Sequence, residues 1–126
     1  MSSVRDVILV VEDDVSTRRG LLAFLDEEGY SAVGAENGRH ALDVLREIEP
    51  PSLILLDLMM PVMDGWQFLT ERAAVPRARD CPVVLLSGLA FIQGAPGVAD
   101  FLAKPVDFEK LRACLVRYCR RPTPAA

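Results

Sequence analysis

Several motifs on which small proteins build their chemistry are missing from this chain. No Walker A loop occurs and no glycine-rich turn follows the first apolar run, so nothing here cradles a nucleoside triphosphate as a donor. Cysteine occurs at Cys81, Cys114 and Cys119 only, an odd number without a CxxC pair. No secretory apolar region follows Met1, so these are expected to be reduced thiols of a cytoplasmic protein. No apolar run approaches the roughly 18 residues that a membrane span needs. The formal net charge is −4 and basic residues do not cluster, which argues against direct nucleic-acid binding. Histidine occurs once, as His40 within a helical pattern, where a structural place is favoured over a phosphocarrier role. Internal repeats and low-complexity tracts are absent. The 126 residues are therefore expected to form a single domain, 1–126, with a core from about 6 to 119 and a frayed tail from 120 to 126.

What the chain does have is centred on Leu53-Ile54-Leu55-Leu56-Asp57-Leu58-Met59-Met60-Pro61. Four apolar residues run straight into an acid, bounded by Pro50-Pro51 and Pro61, as in a strand buried on both faces. The acid then lies at the strand's C-terminal end, the edge where parallel α/β sheets bind ligands. A buried carboxylate needs a partner.

The rest of the chain alternates regularly. Val7-Ile8-Leu9-Val10-Val11 forms a first strand ending in Glu12, Asp13 and Asp14. Ser16 or Thr17 opens a helix with Leu21, Leu22, Phe24 and Leu25 on its apolar face, closed by Gly29. Ser31–Ala35 is a weak strand, and Asn37-Gly38 leads into a helix carrying Ala41, Leu42, Leu45 and Ile48. After Asp57, a loop through Met63-Asp64-Gly65 leads to a helix from about Trp66 to Ala74. Pro82–Leu86 is a fourth strand delivering Ser87-Gly88, and Asp100–Ala103 a fifth, stopped by Lys104-Pro105. Asp107 caps a last helix with Phe108, Leu111, Leu115 and Tyr118 on its apolar side. Between Phe91 and Ala99 the composition, with Gly94, Pro96 and Gly97, is poor for helix.

Strands alternating with helices imply a parallel sheet with helices on both faces, joined by right-handed crossovers. Five such units fit the strand order 2-1-3-4-5. In that order Glu12 and Asp13 face Asp57 across one crevice, with Ser87 and Lys104 on the same edge. Close carboxylates repel one another unless a cation offsets them. An open site of oxygen ligands suits Mg2+ or Mn2+. With Lys104 as a point positive charge and Ser87 as a hydroxyl donor, the group forms a receptor for a phosphoryl group, with Asp57 as the nucleophile. The same acids also suit a helix N-terminus, and of the three Asp14 is the one read as a plain cap.

Val10-Val11-Glu12-Asp13-Asp14, Leu55–Pro61 with Met63-Asp64-Gly65, Leu86-Ser87-Gly88 and Phe101-Leu102-Ala103-Lys104-Pro105 together resemble the response-regulator receiver domain, over residues 7 to about 119. The resemblance implies a flavodoxin-like (βα)5 three-layer sandwich of the CheY type, working in two-component signalling. It implies a phosphoacceptor at Asp57, charged by a sensor histidine kinase or a histidine phosphotransfer protein with Mg2+. The implied metal ligands are Glu12, Asp13, Asp57 and the backbone carbonyl of Met59. Ser87 stands at the family's switch hydroxyl and Phe101 at its switch aromatic, so that phosphorylation reshapes a surface for a downstream protein target. Such a module is a signalling phosphoacceptor rather than an enzyme, and homodimerisation is left open.

Two features depart from the pattern or qualify it. Only 17 positions separate Ser87 from Lys104, short for the family, so the fourth helix is expected to be shortened or missing. Met59 and Leu89, two positions after Asp57 and Ser87, are apolar where polar groups would orient a hydrolytic water, which implies slow self-dephosphorylation. Trp66 and Met63 are expected to be partly buried. Two rivals stand beside this reading. One is a pseudo-receiver acting as a constitutive interaction module. The other is a Mg2+-dependent phosphohydrolase with an aspartyl nucleophile, which would want an acid where Met59 stands.

Overall fold

The computed structural model describes residues 6–76, 78–88 and 97–119. Its elements are β1 (Val7–Val11), α1 (Val15–Glu27), β2 (Ser31–Ala35), α2 (Gly38–Leu45), β3 (Leu53–Asp57), α3 (Gly65–Arg72), β4 (Val83–Ser87), β5 (Asp100–Ala103) and α4 (Phe108–Tyr118). The strands form one sheet in the order β2-β1-β3-β4-β5, parallel throughout. This is the expected order, and it sets β1 beside β3 with the register Val11↔Leu56. The shortened fourth helix expected between β4 and β5 falls on residues 89–96, which lie outside the described residues.

Alternation along each strand sorts the apolar side chains onto two faces. Leu9, Val11, Ile54, Leu56, Val83 and Leu85 join Leu42 and Leu45 of α2 and Phe68 of α3 in one core. Ile8, Val10, Leu53, Leu55, Val84 and Leu86 join Leu21 and Leu25 of α1 and Leu111 and Leu115 of α4 in the other. Burial on both faces is why β1, β3 and β4 read as unbroken apolar runs.

Helix boundaries differ from the sequence reading where capping decides. Asp14 caps α1, accepting from Thr17 N at 2.8 Å and Thr17 Oγ1 at 2.7 Å, so the helix starts at Val15, ahead of Ser16 and Thr17. A capping box joins Asp64 and Gln67 at the start of α3, which therefore begins at Gly65. That helix ends at Arg72 rather than Ala74, because Ala74 N turns back to Glu71 O at 3.1 Å. α2 closes at Leu45, and Ile48 sits half-buried in the turn before Pro50-Pro51. Pro82 lies just outside β4 but contributes its carbonyl, which accepts from Ile54 N at 2.9 Å. Phe108, expected on the apolar side of α4, is 43% exposed. As the first residue of the helix it stacks outside the core on Phe24, with ring centroids 4.5 Å apart.

Candidate phosphoryl-transfer site

The sheet delivers its polar groups to one edge. Glu12 directly follows β1, Asp57 ends β3, Ser87 ends β4 and Lys104 directly follows β5. With Asp13, Asp14, Met59 and Gly88 they line an open cleft of about 470 Å³. Each expected site residue except Phe101 lies on this cleft.

At the centre of the site Lys104 Nζ is 2.6 Å from Glu12 Oε1 and 3.3 Å from Asp57 Oδ1. Glu12 is almost wholly buried, and its Oε2 accepts the Asp14 backbone N–H at 3.2 Å. Its backbone is pinned as well: Glu12 N donates to Ala35 O at 3.0 Å, and Arg18 donates to Glu12 O at 2.8 Å. Asp57 is buried, with a long 3.5 Å contact from Met59 N. Carboxylate oxygens of Glu12, Asp13 and Asp57 all lie within 4.8 Å of one another. Hard, anionic and partly open to solvent on the side of exposed Asp13, this donor set fits Mg2+ or Mn2+ rather than a soft metal.

Burial disfavours the charged forms of Glu12 and Asp57. Burial pushes the Asp57 carboxyl above its ordinary value, against the pull of Lys104. Glu12 is likewise raised by burial, more than its hydrogen bond from Lys104 lowers it. For Lys104 burial works downward, but the hydrogen bond to Glu12 and the charges of Glu12 and Asp57 outweigh it and raise the ammonium. One lysine faces three acids, so negative charge is left over, and an added cation would relieve it.

The loop after β3 is shaped by contacts that leave no room for a side chain. A Cβ on Gly65 would come within 2.8 Å of Asp57 O and Leu58 Cα, and Gly65 N donates to Leu58 O at 3.0 Å. A Cβ on Gly38 would meet Met63 O at 2.8 Å, while Gly38 N donates to that same oxygen at 2.9 Å. Two glycines thus hold the loop against β3 and against the start of α2. Between them Val62 has a φ of 68°, and Met63 N donates to Pro61 O at 2.7 Å, forming a tight γ-turn. Met63 is buried, whereas Trp66, expected to be partly buried, is exposed at 42%.

Other expected residues fall elsewhere. Phe101 is partly covered and packs against the α2–α3 core rather than on the cleft. His40 is exposed on α2, where its Nδ1 accepts the Glu36 N–H at 3.2 Å, a local structural contact. Leu89 lies outside the described residues. Sequence reasoning missed Arg18 as a support of Glu12. The available signal was its place in the first turn of the helix that Asp14 caps.

The sequence model of the response regulator receiver domain matches residues 8–116. A probable transcriptional regulator, ycf27, of Porphyra purpurea is 36% identical over 126 residues, covering 96% of this chain and 50% of its own length. An uncharacterized 14.6 kDa protein of Leptolyngbya boryana is 35% identical, covering 94% of both chains. Among solved structures, the receiver domain of sensor histidine kinase PA1611 from Pseudomonas aeruginosa superposes with a TM-score of 0.82 at 29% identity. That match covers 91% of this chain and 98% of the other, and the PA1611 domain holds a magnesium ion in its active-site cleft. The chain spans about half the length of most of the curated relatives it matches.

Proposed function

Because the chain belongs to the response regulator receiver domain family, we propose that Asp57 accepts a phosphoryl group from a phosphohistidine and that the chain signals through the resulting change of surface. The observation that carries this reading is the meeting of three carboxylates within 4.8 Å, with Lys104 Nζ 3.3 Å from the central one. An Asp57 carboxylate oxygen attacks phosphorus, the phosphorus–nitrogen bond of the donor breaks, and the imidazole nitrogen takes up a proton as it leaves. Lys104 neutralises charge on the transferring oxygens, held ready by Glu12. Glu12, Asp13, Asp57 and the backbone carbonyl of Met59 would hold Mg2+, which would supply electrostatic stabilisation of negative charge at this site. Ser87, on the cleft wall, donates to the bound phosphoryl group, and Phe101 repacks in response.

The donor is a sensor histidine kinase or a histidine phosphotransfer protein, and the readout is a downstream protein. A smaller cleft of about 270 Å³, between α1 and the loop after β5, adjoins Lys104 and offers the donor a place to rest. A cytoplasmic setting suits Cys81, Cys114 and Cys119, none of which is in a disulfide. With Met59 at the cleft and 71% exposed, no polar side chain from that position orients water, so the phosphoryl group is long-lived.

The test is incubation with Mg2+ and phosphoramidate, a small donor with a phosphorus–nitrogen bond, followed by counting acid-labile phosphate per chain. About one equivalent on Asp57, none in Asp57→Asn, supports a receiver. Many turnovers would instead mark a phosphohydrolase, and no phosphate on the wild-type chain a pseudo-receiver.

A further inference from the structure

One buried cation takes no part in the chemistry above. Arg72, the last residue of α3, is only 6% exposed. Its Nη1 donates to three backbone carbonyls of the loop between α3 and β4: Ala78 at 2.7 Å, Arg79 at 3.1 Å and Cys81 at 2.9 Å. Its Nη2 points the other way and donates to Gly97 O at 3.1 Å. Gly97 has a φ of 80°, a conformation only glycine adopts cheaply, and it lies three residues before β5. One planar guanidinium thus ties the end of α3 and the entry to β4 to the entry of β5, a geometry that a single-point ammonium cannot span.

β5 is a strand of four residues at the edge of the sheet, paired only with β4 among the described residues. At its C-terminal end Lys104 N donates to Ser87 O at 2.9 Å, beside the phosphoryl site. At its N-terminal end Ala99 N donates to Val83 O at 2.8 Å, next to the Arg72–Gly97 bond. Phe101 lies between, against the same core as Val98 and Leu69. A strand held at one end by the reacting site and at the other by a buried charge transmits a movement at the first end only if the second stays put.

We propose that Arg72 is the positioning residue that fixes the entry of β5, so that a change at Ser87 and Lys104 moves Phe101 rather than sliding the whole strand. This rests on the phosphoacceptor reading of Asp57. Arg72 touches neither donor nor acceptor, so its loss leaves the chemistry standing and uncouples its consequence.

The experiment is amide hydrogen exchange on the full chain, wild type beside Arg72→Lys and Arg72→Met, before and after Mg2+ and phosphoramidate. Lysine can still serve the Ala78, Arg79 and Cys81 carbonyls but cannot also reach Gly97, so Arg72→Lys keeps the loop and isolates the anchor. In the untreated protein Arg72→Lys is expected to exchange about tenfold faster across 98–103, with β1 and β3 unchanged. Phosphate incorporation at Asp57 should stay within about twofold of wild type, while the phosphorylation-induced change in exchange across β5 is lost. Unchanged exchange across 98–103, or equal acceleration in every strand, overturns the proposal. So does a phosphorylation-induced change in Arg72→Lys equal to that of wild type. Absence of phosphate on the wild-type chain overturns the phosphoacceptor reading and the coupling with it, whereas the untreated samples still decide whether Arg72 anchors β5. If Arg72→Met fails to fold, Arg72→Lys carries the test alone.

Discussion

Two cations, the half-buried Lys104 and the buried Arg72, stand at opposite edges of the same sheet, and their surroundings differ in kind. Lys104, at the C-terminal edge, is shared between Glu12 and Asp57, two carboxylates that burial has pushed toward protonation. Arg72, at the N-terminal edge, donates to four backbone carbonyls, fixed dipoles that carry no net charge. The first arrangement leaves negative charge unbalanced beside an open cleft. The second satisfies its charge inside the fold and leaves nothing for a ligand. The contrast teaches how to tell a site from a clamp: a site holds charge that only an incoming group completes.

Breaking the first arrangement should have the largest effect. Lys104→Met removes the positive charge facing the transferring oxygens and should slow phosphorylation by phosphoramidate about 10²-fold, read as initial rates of phosphate incorporation. Next comes the loop that frames the cleft. Gly65→Ala sets a methyl group against Asp57 O and Leu58 Cα, backbone atoms that cannot swing aside, and should cost about 2 kcal/mol in urea unfolding. Met59→Asn puts an amide at the cleft mouth and should shorten the phosphate lifetime about tenfold, followed as loss of label after donor removal.

The charge imbalance itself predicts a smaller effect of opposite sign. A carboxyl whose folded value is raised costs stability when ionised, and the cost disappears as falling pH protonates it in the fold. Metal-free Asp57→Asn should therefore be more stable than wild type at neutral pH, by about 1 kcal/mol. That gap should close on acidification and reverse with Mg2+ present, as thermal melts would record. Last, Val62→Gly relieves a β-branched residue at positive φ, and after the entropic cost of glycine the net gain should stay below about 1 kcal/mol.

Much of the fold was legible because β1, β3 and β4 are buried on both faces, which writes a continuous apolar run into the sequence. The acids at the ends of β1 and β3 could be paired in the sequence reading once the strand order 2-1-3-4-5 made those strands neighbours, and the observed register does set β1 beside β3. Helix starts were less legible, since Asp14, Ser16 and Thr17 are all good caps and only the folded geometry chooses Asp14. Phe108 looked like core because periodicity does not tell a first-turn residue from one deeper in the helix. Arg72 was invisible, because its partners are main-chain oxygens set by turns at 78–81 and at Gly97, and carbonyl groups leave no mark on residue identity.

The most direct test of the unbalanced charge is Trp66 fluorescence, because this exposed residue follows Gly65, whose backbone packs on Asp57, in the first turn of α3. Titration with Mg2+ and then phosphoramidate, beside Asp57→Asn, should give a saturable change with the metal and a second change with the donor that the variant lacks. A wild-type chain whose fluorescence responds to neither would contradict the claim that this edge of the sheet is built to be completed by a cation and a phosphoryl group.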